Sequence, residues 1–210
     1  MSVHATLVTH NEAAHRAIER LMARLVEVAR RSPSDPALDL GVPCAVTMIR
    51  GHHLYEDELL LPLLEAKGAD GPWVEVATEH EQLGALLTRL ERAKGATRAE
   101  LLDQVAQLVG PHMAKEEVHL TEEAWRSWLS DDEARAFGKD VAAHSRASMK
   151  PATKMLPLIL FNLTPTERAA FTERMPSFVV NGLVPYAFRP MWRGLRPFMT
   201  YAPRRWTPGR

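Results

Sequence analysis

Histidines 15, 52, 80 and 112 each fall in a separate stretch of helical periodicity, and two of them, His52 and His112, are followed four residues later by Glu56 and Glu116. Positions i and i+4 share one helix face, about 6 Å apart along the axis, so each such turn can aim an imidazole and a carboxylate into the same interior. With the two single histidines the set reaches six donors. Mixed imidazole and carboxylate sets with open positions suit iron, and carboxylates can bridge two ions roughly 3.5–4 Å apart.

The alternative for each HxxxE turn is a surface contact worth only a few tenths of a kcal/mol. Two such turns in register favour ligation instead. On the first helix His15 is preferred to His10, because it precedes Ile18 and Met22 on the apolar stripe. His80, between Glu79 and Glu81, reads alone as a solvated polar patch, but a site inside a bundle needs a donor from the third helix. His53 and Asp57 form a parallel turn rotated by about 100°, which predicts an outer-face pair; a shift of one residue in register exchanges His53 with His52. His119 shares the face of His112 and Glu116 one turn further on, as a distal ligand or as a plain amphipathic histidine. Tyr55, three residues after His52, is expected to pack beside the first helix, within reach of the site.

These residues need helices to hold them. Apolar spacing predicts helix A over residues 6 to 30, ended by Ser32-Pro33-Ser34-Asp35-Pro36. After a loop closing at Gly41-Val42-Pro43, helix B covers 44 to 67 and stops at Gly68-Ala69-Asp70-Gly71-Pro72. Helix C spans 73 to 94. Thr97 and Glu100 predict a cap for helix D, which runs to about Trp128 with a kink at Gly110-Pro111. Ser130 to Glu133 reads as a capping box opening a fifth helix to about Met149, and Thr164-Pro165-Thr166-Glu167 opens a short one to Met175. Four long helices on short loops predict an all-α, up-down four-helix bundle with its site in the core. The expected division is a bundle over 1–129, an additional helix over 130–150 and an extension over 151–210.

With 26 basic and 26 acidic residues in 210, no overall field draws in nucleic acid. The single Cys44 excludes an internal disulfide framework and fits a reducing, cytoplasmic setting. Neither a leader nor a membrane-spanning segment is expected. Residues 176 to 210 carry six arginines, no acid, many prolines and large apolar side chains, among them Phe178, Tyr186, Trp192, Leu195 and Phe198. Such a surface must be covered, and the extension is expected to pack on the bundle or to form a homodimer contact, an anionic membrane surface being the competing partner.

The order H, HxxxE, H, HxxxE resembles the hemerythrin-like, or HHE cation-binding, family. The resemblance rests on His15-Arg16-Ala17-Ile18, on the run from His52 to Pro62, on Glu79-His80-Glu81 and on His112 to Glu117, and it covers roughly residues 6 to 128. It implies a non-haem centre of two iron ions with carboxylate and oxo or hydroxo bridges, and O2, peroxide or NO as the ligand to be sensed, stored or detoxified. The chain departs from oxygen-carrying members, whose third helix offers two histidines one turn apart: the positions four before and after His80 are Val76 and Gly84. That predicts a site short of one imidazole, with peroxide or O2 chemistry favoured over transport. A competing assignment takes Glu12 with His15 and Glu116 with His119 as the ExxH motifs of a ferritin-like di-iron oxidase. In a third, any metal is only a structural staple.

Overall fold

The computed structural model describes residues 1–202, and the described residues form helices and loops without a strand. The first helix, α1 (Val3–Arg31), starts where the Ser2 hydroxyl accepts the Ala5 N–H at 3.0 Å, and it ends in Arg30 and Arg31, which suit the negative end of its dipole. The second rod is assembled from α2 (Leu38–Tyr55), one π-helical turn (Glu56–Leu60) and α3 (Leu61–Ala66), with helical backbone at every junction. It closes at Gly68, whose φ of +62° a side chain would strain. There the Gly68 N–H reaches Glu65 O and the Ala69 N–H reaches Leu64 O, which satisfies two terminal carbonyls. α4 (Trp73–Arg92) and α5 (Gly95–His119) complete the bundle, with α1 against α2 and α5, and α4 against α5 and α2.

Three boundaries differ from expectation. The second rod begins at Leu38 rather than at residue 44, so Gly41 and Pro43 lie inside its opening turns. Its N-cap, Ala37, has no side-chain cap; just upstream Asp35 Oδ1 accepts the Ala37 N–H at 2.8 Å. Thr97 lies inside α5 and caps nothing; Lys94 holds the N-cap position without a side-chain bond. The fourth rod passes through Gly110-Pro111 as helix and breaks instead at Leu120, where Thr121 caps α6 (Glu122–Trp128) through the Ala124 N–H. A threonine inside an apolar pattern hides that second start.

Beyond the bundle, α7 (Asp131–Ser148) opens with the predicted capping box of Ser130 and Glu133. α8 (Ala152–Leu160) and α9 (Pro165–Phe171) follow, the latter capped by Thr164 and Glu167 as expected but ending before residue 175. A π-helical stretch (Val179–Ala187), α10 (Arg189–Trp192) and a 3-10 turn (Arg193–Phe198) complete the described chain. No described helix is long and apolar enough to cross a membrane. Prolines 203 and 208 and arginines 204, 205 and 210 lie outside the described residues.

The core divides the bundle lengthwise. One half is apolar, where Leu25, Leu38, Leu87, Leu90, Leu101 and Leu102 meet. The other half holds the buried histidines and carboxylates, and a second apolar cluster of Leu60, Leu64, Leu120, Trp125 and Leu129 lies beyond them. The extension joins the apolar half. Trp192, Leu195 and Phe198 are buried against it, whereas Phe178, Tyr186 and Met191 are exposed. Asn162 fastens this arrangement: its amide donates to Leu158 O and Phe198 O, and its carbonyl accepts from the Thr200 N–H and hydroxyl. Arg20 of α1 adds a two-pronged ion pair to Glu167 at 2.5 and 2.9 Å.

Gly41 marks a close approach between bundle and extension. A methyl group there would meet the Phe198 ring, with Cδ2 at 2.7 Å, and Leu25 Cδ2 at 2.8 Å. Both neighbours are fully buried and have little room to yield. Gly41→Ala is therefore expected to lose about 1–3 kcal/mol to overpacking, more than the helix-propensity gain of at most about 1 kcal/mol. A urea midpoint equal to or above that of the wild type would contradict this packing.

Candidate metal centre

Each rod presents part of the cluster from its inward face. His15 comes from α1, His52, His53 and Glu56 from the second rod, His80 from α4, and His112 and Glu116 from α5; all seven are buried. Two groups have ligand atoms within 4.8 Å of one another: His53, Glu56, His80 and His112, and His15, His52, Glu56 and Glu116. The carboxylates stand between the groups. Glu56 has one oxygen 3.1 Å from His52 Nε2 and the other 3.3 Å from His80 Nε2. Glu116 has one oxygen 3.3 Å from His15 Nε2 and the other 3.2 Å from His112 Nε2.

The histidines are oriented from behind. His15 Nδ1–H donates to Glu117 at 2.9 Å, His80 Nδ1–H to Asp57 at 2.6 Å and His112 Nδ1–H to Glu79 at 2.8 Å. An ionised carboxylate only accepts, so each bond holds a proton on Nδ1 and leaves Nε2 facing inward, where the Nε2 atoms of His80 and His112 lie 3.1 Å apart. Arg16 steadies Glu117, and Lys115 steadies Glu79. Glu79, Asp57 and Glu117 each directly precede or follow a residue that the sequence pattern singles out, but nothing in that pattern assigns them this orienting role.

His53 requires a correction. Expected on the outer face, it is buried, stacked on His80 with ring centroids 4.3 Å apart, and part of the first group. The reason is the width of the contact arc: the second rod packs against both α1 and α4, so two residues about 100° apart are both enclosed. Asp57 does lie outward, half exposed, where it reaches His80. Five imidazoles, not four, are therefore gathered in the buried cluster. The fifth comes from the second rod, and a Cβ at Gly84 would have no atom within 4 Å.

The remaining candidates fall outside both groups. His10 is half-buried and its Nε2–H donates to Phe171 O at 3.3 Å; burial lowers its basicity. His119 lies edge-on to Trp73, 5.8 Å between centroids. Tyr55 is near the cluster, 6.0 Å from the His52 ring, and packs with Phe137; burial and the two carboxylates raise its phenol well above the ordinary range. Glu12 is exposed, which removes one of the two ExxH motifs of the ferritin-like alternative.

Electrostatics make the cluster costly without a cation. Burial and the charge of Glu116 push Glu56 up to about 7, while Glu116, despite its own burial, is held far below the usual carboxylate range by His112, His15 and His80. Against the pull of burial, the neighbouring carboxylates raise His15 to about 9 and His80 to about 10. His52 and His53 are lowered by burial first and by neighbouring histidines second, which the charge of Glu116 does not offset. Both oxygens of Glu56 and Glu116, and Nε2 of His15, His52 and His53, have no hydrogen-bond partner among the described residues. Buried polar atoms without partners are rare because each costs roughly 1–3 kcal/mol or more. Here they converge, and the donor set fits divalent metal ions.

Comparison with curated proteins and with solved structures gives no match. The family model of the Hemerythrin HHE cation binding domain matches residues 6–124, which contain every member of both groups. The chain belongs to that family.

Proposed function

We propose that residues 1–129 form a non-haem di-iron centre that binds O2, NO or peroxide, with His15, His52, His53, His80, His112, Glu56 and Glu116 as ligands. The helix over 130–150 and the extension over 151–198 pack on this bundle. The observation that carries this reading is the convergence of buried donor atoms in two adjoining groups, among them the partnerless oxygens of Glu56 and Glu116 and Nε2 of His15, His52 and His53. His53, His80 and His112 with Glu56 would give one ion four donors, to which Glu116, 3.2 Å from His112 Nε2, can add a fifth, whereas His15 and His52 with the two carboxylates would give the other four. Imidazole and carboxylate donors with an unfilled position favour iron among the common metals. The poorer-ligated ion, on the His52 side, is where a small molecule enters.

When bound, iron supplies the redox chemistry and the attraction for a diatomic or peroxide ligand. The protein's own part is positional. Glu117, Asp57 and Glu79 fix three imidazoles, Glu56 and Glu116 hold the ions together, and the surrounding apolar side chains limit water. The fifth imidazole removes the ground for preferring peroxide turnover, so reversible binding of O2 or NO fits the residues equally well.

The test is anaerobic loading with ferrous iron followed by stopped-flow mixing with O2, NO and peroxide. A new visible absorption band with at least one of them, absent from the metal-free chain, is expected. No spectral response to any of the three would leave the metal as a structural staple and overturn the proposal.

A further inference from the structure

On the His52 side of the bundle lies a cavity of about 440 Å³, within the range of pockets that take small organic ligands. α1 and α2 supply its inner surface through Asn11, Gly51 and His52, and Tyr55 adjoins them. Its opposite wall comes from α7, α8 and α9, including Leu156, Ile159 and Phe171. Residues 138–175 lie beyond the stretch matched by the family model, so this wall lies outside the matched domain.

The lining says what kind of molecule fits. It is predominantly apolar, no acidic side chain contributes, and its one fully charged residue, Arg146, is exposed at the rim. An ionised group inside would lose its hydration without a partner, which favours a neutral ligand. His10, His52, Tyr55 and Ser145 interrupt the apolar surface, and so does Asn11. It is 8% exposed, and its Oδ1 has no hydrogen-bond partner among the described residues. An amide both donates and accepts, and the ligand group that matches it in a small space is a hydroxyl.

We propose that this cavity is a binding site for a neutral, largely apolar alcohol or phenol, held by its hydroxyl on Asn11 and by its hydrocarbon body between α7, α8 and α9. The ligand's inner end then lies beside His52 and Tyr55. Its role as a co-substrate or gate for the metal rests on the proposed function, but the cavity and Asn11 do not depend on it.

Calorimetry with 4-ethylphenol and 4-ethylanisole, on both the metal-free and the iron-loaded full chain, tests this. One 4-ethylphenol per chain is expected in both states, with 4-ethylanisole at least about tenfold weaker, because it leaves the buried amide oxygen unpaired. Asn11→Leu should abolish that preference, and Ala142→Trp, at the exposed rim, should block both ligands while circular dichroism remains unchanged. Saturable binding of neither ligand would overturn the inference, as would equal affinity for the pair in the wild type. Binding confined to the iron-loaded chain would put the hydroxyl on the metal instead of Asn11 and would overturn it too. Binding by a chain that proves unable to hold iron would uphold the cavity while the di-iron reading fails.

Discussion

Glu116→Ala is expected to take the iron content of the loaded protein from two ions per chain to one or none. Its two oxygens face different groups, one toward His15 and the other toward His112, so a single truncation removes a donor from both ions. His112→Ala touches only one group and should cost at least one ion. Loss of the ions also lowers stability, since metal bound at a thousand times its dissociation constant contributes about 4 kcal/mol. Metal analysis beside thermal melting separates the effects. Full iron in both variants would mean that the buried cluster is not the metal site.

Truncation after Lys150 is expected to have the larger effect on folding. It strips Met155, Leu158, Trp192, Leu195 and Phe198 from the apolar half and leaves Leu25, Leu38 and Gly41 facing water. Losing one buried Phe or Trp side chain costs about 3–5 kcal/mol. A chain of this size melts roughly 2–4 °C lower per kcal/mol. The truncated protein should therefore aggregate or melt more than about 10 °C lower, yet bind iron, because no metal-group residue lies beyond Glu116. A truncated chain as stable as the intact one, with the intact chain co-sedimenting with anionic vesicles in a salt-sensitive way, would mean that a membrane surface covers the extension.

The two HxxxE turns are legible in the sequence because helix period and ligand spacing coincide: what places His52 and Glu56 on one face also lets them serve as a chelating pair. His15 and His80 can be read only through the bundle they have to complete. His53 cannot be read in this way, since amphipathic reasoning assumes one buried stripe per helix and the second rod is enclosed on two sides. The carboxylates behind the histidines are hidden differently: Glu79 and Asp57 reach across to partners 33 and 23 residues away, a pairing no local pattern encodes. Helix starts are legible where a capping box announces them, at Ser130 and Thr164, and hidden where no side chain caps, at Ala37, or where the cap is a lone Thr121. The cavity is invisible in the sequence because its walls come from helices far apart in the chain, α1 and α2 on one side and α7 to α9 on the other.

Anaerobic titration of the metal-free protein with ferrous iron, followed by metal analysis after desalting, tests the central claim most directly. Two ions retained per chain, with a break in the titration at two equivalents, is the expected result. Retention of one ion or none would contradict a centre built from both groups.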